Sequence, residues 1–311
     1  PANPEDGQVW YNSTTGNLRV DGILGTGSWS SGGNLNTARA FLFGVGTQTA
    51  ALGAGGYTPG FSPTANSEEY NGTAWTEGNN LNTARYGLSG AGTQTAAVAV
   101  GGYPLFTNAE EYDGSSWTNV TAYPVSIYQT AGAGTQTAGV LFGGTINPGP
   151  SKTAQTTEYN GSSWTTATPQ NLNTARSGMG SGGTQTAAIG FAGAEPSASN
   201  KTETYDGSSW TVGGTLINST PTSRNTGGGG PNTSTTDILA AGGPPHRNIV
   251  EGYDGTSWSA KPTLATGRSN LAGGGTNSTA VVFGGDDAAT VYTAVTEEYT
   301  ASIETKNLSV S

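Results

Sequence analysis

Ala109-Glu110-Glu111-Tyr112-Asp113-Gly114-Ser115-Ser116-Trp117 is the stretch whose reading decides the fold. Asp-Gly suits the two central residues of a tight turn with positive φ, and it is the strongest short-range hairpin signal. The residues on either side therefore read as two antiparallel strands, one ending in Tyr112 and one starting at Trp117. The same text returns at Tyr70/Trp75, Tyr159/Trp164, Tyr205/Trp210 and Tyr253/Trp258, always with the Trp five residues after the Tyr. With Tyr299 included, the tyrosines are spaced by 42, 47, 46, 48 and 46 residues.

Two further segments repeat with the same period. Asn-Leu-Asn-Thr-Ala-Arg stands at 34–39, 80–85 and 171–176, and Gly-Thr-Gln-Thr-Ala at 46–50, 92–96, 134–138 and 183–187. A period of about 40–50 residues with several short strands per unit suggests the blades of a β-propeller. Each unit parses into four strands. The first is expected to run from the Arg (Arg39-Ala40-Phe41-Leu42-Phe43), and the second to follow Gly-Thr-Gln and end in Gly-Gly. The third carries Glu-Glu-Tyr and the fourth the Trp. Trp29 has no Tyr before it, and Tyr299 has no Trp after it. Pairing the two closes a ring of six blades and removes the exposed sheet edges that invite aggregation.

Composition agrees with an all-β chain. The 311 residues include 51 glycines, yet no glycine period of three exists, which excludes collagen. Seven Trp, 13 Tyr and 7 Phe supply core material. The absence of cysteine rules out a disulfide scaffold and a cysteine nucleophile. A net charge of −10 without a basic stripe argues against nucleic acid and anionic membrane surfaces. No apolar run approaches the ~20 residues of a spanning helix. The one methionine is Met179, so the chain is expected to be processed or part of something longer.

The double glycine, Tyr and Trp of each unit resemble a kelch repeat. They stand at Gly55-Gly56/Tyr70/Trp75, Gly101-Gly102/Tyr112/Trp117, Gly143-Gly144/Tyr159/Trp164 and Gly242-Gly243/Tyr253/Trp258. The fourth unit departs with Ala192-Gly193, and the sixth has Gly284-Gly285 and Tyr299 without a following Trp. The resemblance covers about residues 28–300. It implies a six-bladed kelch-like β-propeller closed by an N-terminal strand, with a short N-terminal β-hairpin. The expected divisions are 1–22 for the hairpin, 23–300 for the propeller and 301–311 for a tail or strand. The hairpin text at 7–20 resembles a segment of bacteriophage tail-fibre and other virion proteins.

Comparing the copies inside this chain separates architecture from function. The Gly-Thr-Gln-Thr-Ala and Asp-Gly-Ser-Ser-Trp turns are near copies. The loops between second and third strands differ in length and chemistry, at 57–67, 103–108, 145–155, 194–202, 244–249 and 286–295. In kelch-like propellers these loops open on one face with the blade-to-blade connections. They carry the candidate ligand-binding residues Tyr57, Phe61, Tyr103, Phe106, His246, Arg247 and Tyr292, because aromatic rings on loops suit stacking on sugar rings.

Arg39, Arg85, Arg176, Arg224 and Arg268 hold equivalent places, with Ile127 in the third unit. They form a candidate anion-binding ring, or else each is an architectural part bonded to a carbonyl or stacked on the next blade; repetition favours architecture. The adjacent acids Glu68-Glu69, Glu110-Glu111 and Glu297-Glu298 point opposite ways on a strand and do not form a catalytic pair. Asp286-Asp287 alone is too sparse a set for calcium. The copper chemistry known among kelch proteins needs a Cys-linked Tyr, and the sialidase Asp box has a residue between Asp and Gly. Neither carries over. A Ser–His–acid triad would have to use His246.

The expected function is that of a non-enzymatic virion surface or tail-fibre module binding a host surface glycan or receptor. Other virion proteins would join at the termini, and self-association is a candidate assembly. No cofactor, metal, nucleic acid or membrane insertion is expected. A purely structural decoration protein and a glycan-active enzyme are the alternatives.

Overall fold

The computed structural model describes residues 9–12, 17–24, 26–104, 106–146, 151–167, 170–195, 197–218, 235–289 and 291–308. Their regular structure is all β, and the sheets are antiparallel. No helix among the described residues is long and apolar enough to cross a membrane.

Six sheets follow one another along the chain. The first holds Phe43–Thr47, Ala50–Ala54, Ser67–Tyr70 and Trp75–Glu77. The second holds Ser89–Gly92, Ala97–Val100, Ala109–Tyr112 and Trp117–Asn119. The third holds Ala131–Thr135, Ala138–Phe142, Thr156–Tyr159 and Trp164–Ala167, and the fourth Gly180–Thr184, Ala187–Phe191, Thr202–Tyr205 and Trp210–Val212. Ile238–Ala241, Val250–Tyr253 and Trp258–Lys261 are the described strands of the fifth. The sixth joins Ala272–Gly275, Thr279–Phe283 and Thr296–Thr300 to Ser28–Ser31, with Trp29 opposite Tyr299. Six apolar clusters each bridge two sheets; one of them joins the sixth sheet (Ala272, Val281, Phe283) to the first (Ala51, Tyr70, Trp75).

The hairpin that decides the fold forms as its sequence requires. Tyr112 pairs with Trp117, and their rings lie 4.9 Å apart. Asp113 Oδ1 accepts the N–H groups of Ser115 and Ser116 at 2.8 and 2.7 Å, and Gly114 takes φ +87°. This turn would strain any residue with a Cβ. The six tyrosines are all buried, and a fully buried large side chain contributes roughly 1.5–3 kcal/mol.

One expectation needs correction. The first strand does not run from the Arg. It begins at Phe43, and Phe41 sits at φ +54°, a left-handed conformation that no strand contains. Residues 39–42 instead form a connection on the loop face, with Ala40 bridged to Tyr57.

The repeated residues hold neighbouring sheets together. Gln94 Nε2 donates to the carbonyls of Ala51 and Tyr70 in the first sheet, at 3.1 and 2.6 Å. Gln136 does the same to Ala97 and Tyr112, and Gln185 to Gly139 and Tyr159. The indole N–H groups of Trp75, Trp117, Trp210 and Trp258 each donate to a Thr or Ser hydroxyl of the preceding sheet at 2.9 Å. Tyr112 donates to Glu69 at 2.5 Å, Tyr159 to Glu111 at 2.9 Å and Tyr205 to Glu158 at 3.0 Å, with Tyr70 bonded likewise to Glu298. Innermost strands meet backbone to backbone. A Cβ added at Gly132 would collide with the Gly90 carbonyl.

Outside the six sheets, Val9–Asn12 pairs with Asn17–Leu24, and Ile303–Leu308 pairs with the other edge of Asn17–Leu24. Both ends of the described chain thus meet in one three-stranded sheet.

Candidate functional site

The Asn-Leu-Asn-Thr-Ala-Arg segment builds the floor under the loops. Its Leu enters the core: Leu35, Leu81 and Leu172 are buried. The main-chain N–H of its second Asn donates to a buried carboxylate of the following third strand: Asn36 to Glu68 at 2.6 Å, Asn82 to Glu110 at 2.7 Å and Asn173 to Glu203 at 2.6 Å. The Arg closes the arrangement. Arg85 Nη1 donates to the carbonyls of Gly101 and Asn108 at 2.7 and 2.9 Å, and Nη2 pairs with Glu110 at 2.9 Å.

The candidate anion-binding ring is therefore overturned for its described members. Arg39, Arg85, Arg176 and Arg268 are 0% exposed and pair with Glu68, Glu110, Glu203 and Glu297. Burial pushes each guanidinium below its ordinary value and the carboxylate partner opposes it. A buried charge keeps its partner, so none of the four is open to an outside anion. Arg224 lies outside the described residues. The adjacent acids divide as alternation requires: the first Glu faces the Arg and the second takes the neighbouring sheet's tyrosine.

The C=O of each described Arg of the set accepts the N–H of the second glycine in the preceding sheet, as with Gly56 on Arg85 and Gly144 on Arg176, both within 2.9 Å. Ile127 replaces Arg in the third unit because this bond uses only its carbonyl, to Gly102 at 2.9 Å. Ala192 fills the first glycine's place in the fourth unit at φ +57°. These bonds bring the residues after Gly-Gly beside those before each first strand. Both sets therefore share the face away from the Gln and Asp-Gly turns.

Five residues on that face form a backbone collar. Phe41 N–H donates to Asn270 C=O at 2.9 Å, Gly87 to Phe41 at 2.8 Å, Gln129 to Gly87 at 2.7 Å and Gly178 to Gln129 at 2.9 Å. All five take φ between +52° and +64°. Three of them carry side chains, a strain that survives only where surroundings impose it. Beside the collar opens a small depression lined by Phe41, Gly87, Gln129, Met179 and Leu271 among others.

Beside the collar runs a strip of aromatic rings. From Tyr292 it passes to Phe61 at 6.1 Å, to Tyr57 at 6.3 Å, to Tyr86 at 3.6 Å, to Tyr103 at 5.0 Å and to Tyr128 at 6.1 Å. Phe41 meets Tyr57 and Tyr86 edge-on. Phe61, at the tip between Tyr57–Thr58 and Ser62–Pro63, is 76% exposed, and Tyr103 is 44% exposed. Tyr57 and Tyr86 stack on each other, so they present edges and hydroxyls rather than faces. The Tyr86 phenol is pushed well above its ordinary value. Burial is the main cause, followed by the adjacent Tyr57 hydroxyl and the nearby Tyr103 and Tyr128 phenols.

At the Tyr292 end the surface turns polar. Asp286 pairs with His246 Nε2 at 2.9 Å and accepts from Asn270 Nδ2 at 2.7 Å, and its main chain bridges Ser269 and Tyr292. Burial raises the Tyr292 phenol, with the Asp286 charge adding to it. Ser269 is buried and its hydroxyl accepts the His246 main-chain N–H rather than a ring nitrogen, which is not the geometry of a nucleophile and its base. Asp287 caps its own loop through Ala289 and Val291. No group of three metal-ligating side chains occurs among the described residues.

Of the loop residues expected from sequence, Tyr57, Phe61, Tyr103 and Tyr292 fall in the strip and His246 at its polar end. Arg247 is half-buried beside His246, with its Nε enclosed and unbonded. Phe106 is half-buried and stands outside the strip. Sequence reading missed Phe41, Tyr86, Tyr128, Gln129 and Asn270. The signal was present: the positions one and two past Arg39, Arg85, Ile127, Arg176 and Arg268 read Ala-Phe, Tyr-Gly, Tyr-Gln, Ser-Gly and Ser-Asn, as varied as the loops themselves.

No family model matches the chain, and no curated protein matches it by sequence. A solved β-propeller-type structure, "Structure of YjhT", is similar at a TM-score of 0.69, covering 88% of this chain and 99% of that one. At 11% identity the likeness concerns the fold alone, and it makes the fold propeller-like.

Proposed function

We propose that the chain is a six-bladed kelch-like propeller, closed by Ser28–Ser31, that serves as a non-enzymatic glycan-binding attachment module on a virion surface. One observation carries the binding role. The residues kept from copy to copy are consumed in contacts between sheets, while the varied residues of the opposite face gather into a partly exposed aromatic strip beside a depression. Exposed rings next to hydroxyls and amides suit sugars, which offer apolar ring faces and polar rims. The virion setting rests on the text at 7–20, and the sheet joining the two termini is the proposed joint to other virion proteins.

The test is a glycan array probed with the full chain and with the double variant Phe61→Ala/Tyr103→Ala. Binding by the full chain and its loss in the variant, at unchanged melting temperature, is the expected result. Equal binding by both would remove the aromatic strip from the function.

A further inference from the structure

In each loop between second and third strands, one residue donates its N–H to the carbonyl of the second glycine: Thr64 to Gly56, Phe106 to Gly102, Thr153 to Gly144, Ser199 to Gly193, Arg247 to Gly243 and Thr293 to Gly285. Where that residue is Thr or Ser, its hydroxyl accepts the N–H two residues on, at 3.0 to 3.3 Å, and so fixes the turn. Arg247 gives up this role. The facing text departs with it. Ala38, Ala84 and Ala175 precede Arg39, Arg85 and Arg176, but Gly267 precedes Arg268. A Cβ at Gly267 would collide with the His246 carbonyl oxygen and crowd the Arg247 backbone. Losing that one methyl group lets the Pro244-Pro245-His246-Arg247 loop seat on the sixth sheet's connection. There Arg268 N–H donates to Arg247 C=O and His246 N–H to Ser269 Oγ, both at 3.0 Å.

Arg247 also differs from the four buried arginines in having no carboxylate. Among the described residues it makes no ion pair. Its Nε is enclosed and unbonded, which leaves the Nη1–Nη2 edge of the fork for a ligand. The nearby Asp286 is taken up by His246 and Asn270, and Asp287 by its own loop. The other end of the aromatic strip carries a second such cation. Tyr128, Thr145 and Lys152 stand directly opposite one another in the small sheet of Ile127–Tyr128, Thr145–Ile146 and Ser151–Lys152, so their side chains share a face. Lys152 likewise makes no ion pair among the described residues. The strip from Tyr292 to Tyr128 is thus bracketed by two unpaired cations.

Resting on the glycan-binding reading above, we infer that the strip takes an acidic oligosaccharide whose sugars carry carboxylates, one held by Arg247 at the Tyr292 end and another by Lys152 beside Tyr128. A guanidinium offers a carboxylate two parallel N–H donors, whereas the Lys152 ammonium acts as a point charge. The sugars between the two contacts lie along the aromatic rings, with Phe61 and Tyr103 the most exposed of them. The net charge of −10 slows the approach of an acidic ligand at low salt. It does not decide the bound state, because charges beyond about 10 Å are screened at ordinary salt while the two contacts are direct.

The experiment titrates the full chain with immobilised oligomers of galacturonate, glucuronate and mannuronate, each beside its methyl ester, which keeps the sugar and removes the charge. Neutral galactose, glucose and mannose oligomers complete the set. The expected result is that at least one acid binds more tightly than its ester and than every neutral oligomer. Arg247→Thr installs the residue that Thr64, Thr153 and Thr293 supply in other copies, so the loop keeps its turn. It weakens the acid by about 10–100-fold, as the loss of a charged hydrogen-bonded contact does, and leaves the ester unchanged. Arg247→Lys keeps the charge without the fork and retains part of the affinity. Lys152→Ala weakens the acid by less than Arg247→Thr does. Melting curves check that each variant folds. A neutral oligomer or an ester that binds as tightly as every acid overturns the inference and leaves glycan binding standing. Failure of every probe overturns the two together. Unchanged affinity for the acid in folded Arg247→Thr also overturns the inference, and in folded Lys152→Ala it overturns the second contact.

Discussion

Arg85 shows how one residue type was legible and its role was not. Recurrence after Asn-Leu-Asn-Thr-Ala marks it as part of the blade, but a surface ring of cations and a buried strut give the same sequence. The difference lies in Glu110, 25 residues on, whose carboxylate takes both the guanidinium and the Asn82 N–H. Arg85→Ala leaves that carboxylate buried without its counter-charge and is expected to cost about 3–5 kcal/mol in urea unfolding. Arg85→Ala/Glu110→Ala should cost less than the two single changes added together. Additive losses would mean that the two act independently. The tyrosines that cross between sheets give a pH prediction. Burial, then the Glu298 hydrogen bond, pushes Tyr70 up to about 12 from an ordinary 10.0. A raised folded-state value stabilises fully below pH 10, and that contribution is lost as pH rises from 10 towards 12. Phenolate absorbance should therefore lag behind free tyrosine above pH 10 and then rise together with unfolding. Ionisation of all tyrosines near pH 10 in a folded chain would contradict the burial.

At the scale of the element, turn chemistry was the most legible part. Asp-Gly, Asn-Gly and Gly-Thr-Gln mark their turns because each needs a backbone state or a side-chain bond that few residues supply. The first strand was misread for a physical reason. Arg39-Ala-Phe-Leu-Phe43 is a short apolar run, and periodicity alone cannot tell a strand from a connection packed on the core. Phe41 breaks it by taking φ +54° in the collar, a conformation imposed by the Asn270 carbonyl and the Gly87 N–H of neighbouring sheets. Contacts between sheets also decide Gly132. Its Cα faces the Gly90 backbone so closely that no side chain fits, although its own φ is ordinary. Gly132→Ala is expected to lower stability by about 1–3 kcal/mol, as overpacking does, because backbone cannot swing aside as a side chain can. Gly114→Ala, strained by φ +87°, should cost about 1–2 kcal/mol. Thermal melts of the two variants check both values; a neutral Gly132→Ala would contradict the close packing of the innermost strands.

For the whole molecule, the repeat made the architecture readable and hid the site. Copies reveal what recurs from sheet to sheet, namely Gln to carbonyl, Trp to hydroxyl, Tyr to Glu and Arg to Glu. The aromatic strip is assembled from positions that differ between copies, so its continuity exists only once four sheets stand side by side. Tyr86 and Tyr128 could be suspected from sequence variation, but their stacking partners could not be named. The junction of first and last strands is a property of the same scale. Deleting residues 1–31 removes the partner of Thr296–Thr300 and takes Trp29 and the Thr26 carbonyl away from Tyr299. The expected outcome is a lower melting temperature and association through the bared edge, read by light scattering. A monomer of unchanged stability would contradict a structural role for the pairing of Ser28–Ser31 with Thr296–Thr300.

The central claim is that the varied face binds a glycan while the repeated face only holds the ring together. Backbone amide NMR of the full chain, titrated with the tightest glycan from the array, tests it most directly. The account predicts shifts in Phe41, Tyr57, Phe61, Tyr86, Tyr103 and Gln129, with Thr93, Gln94, Gly114 and Ser115 on the opposite face unmoved. Shifts concentrated in those opposite turns, with the aromatic strip silent, would contradict it.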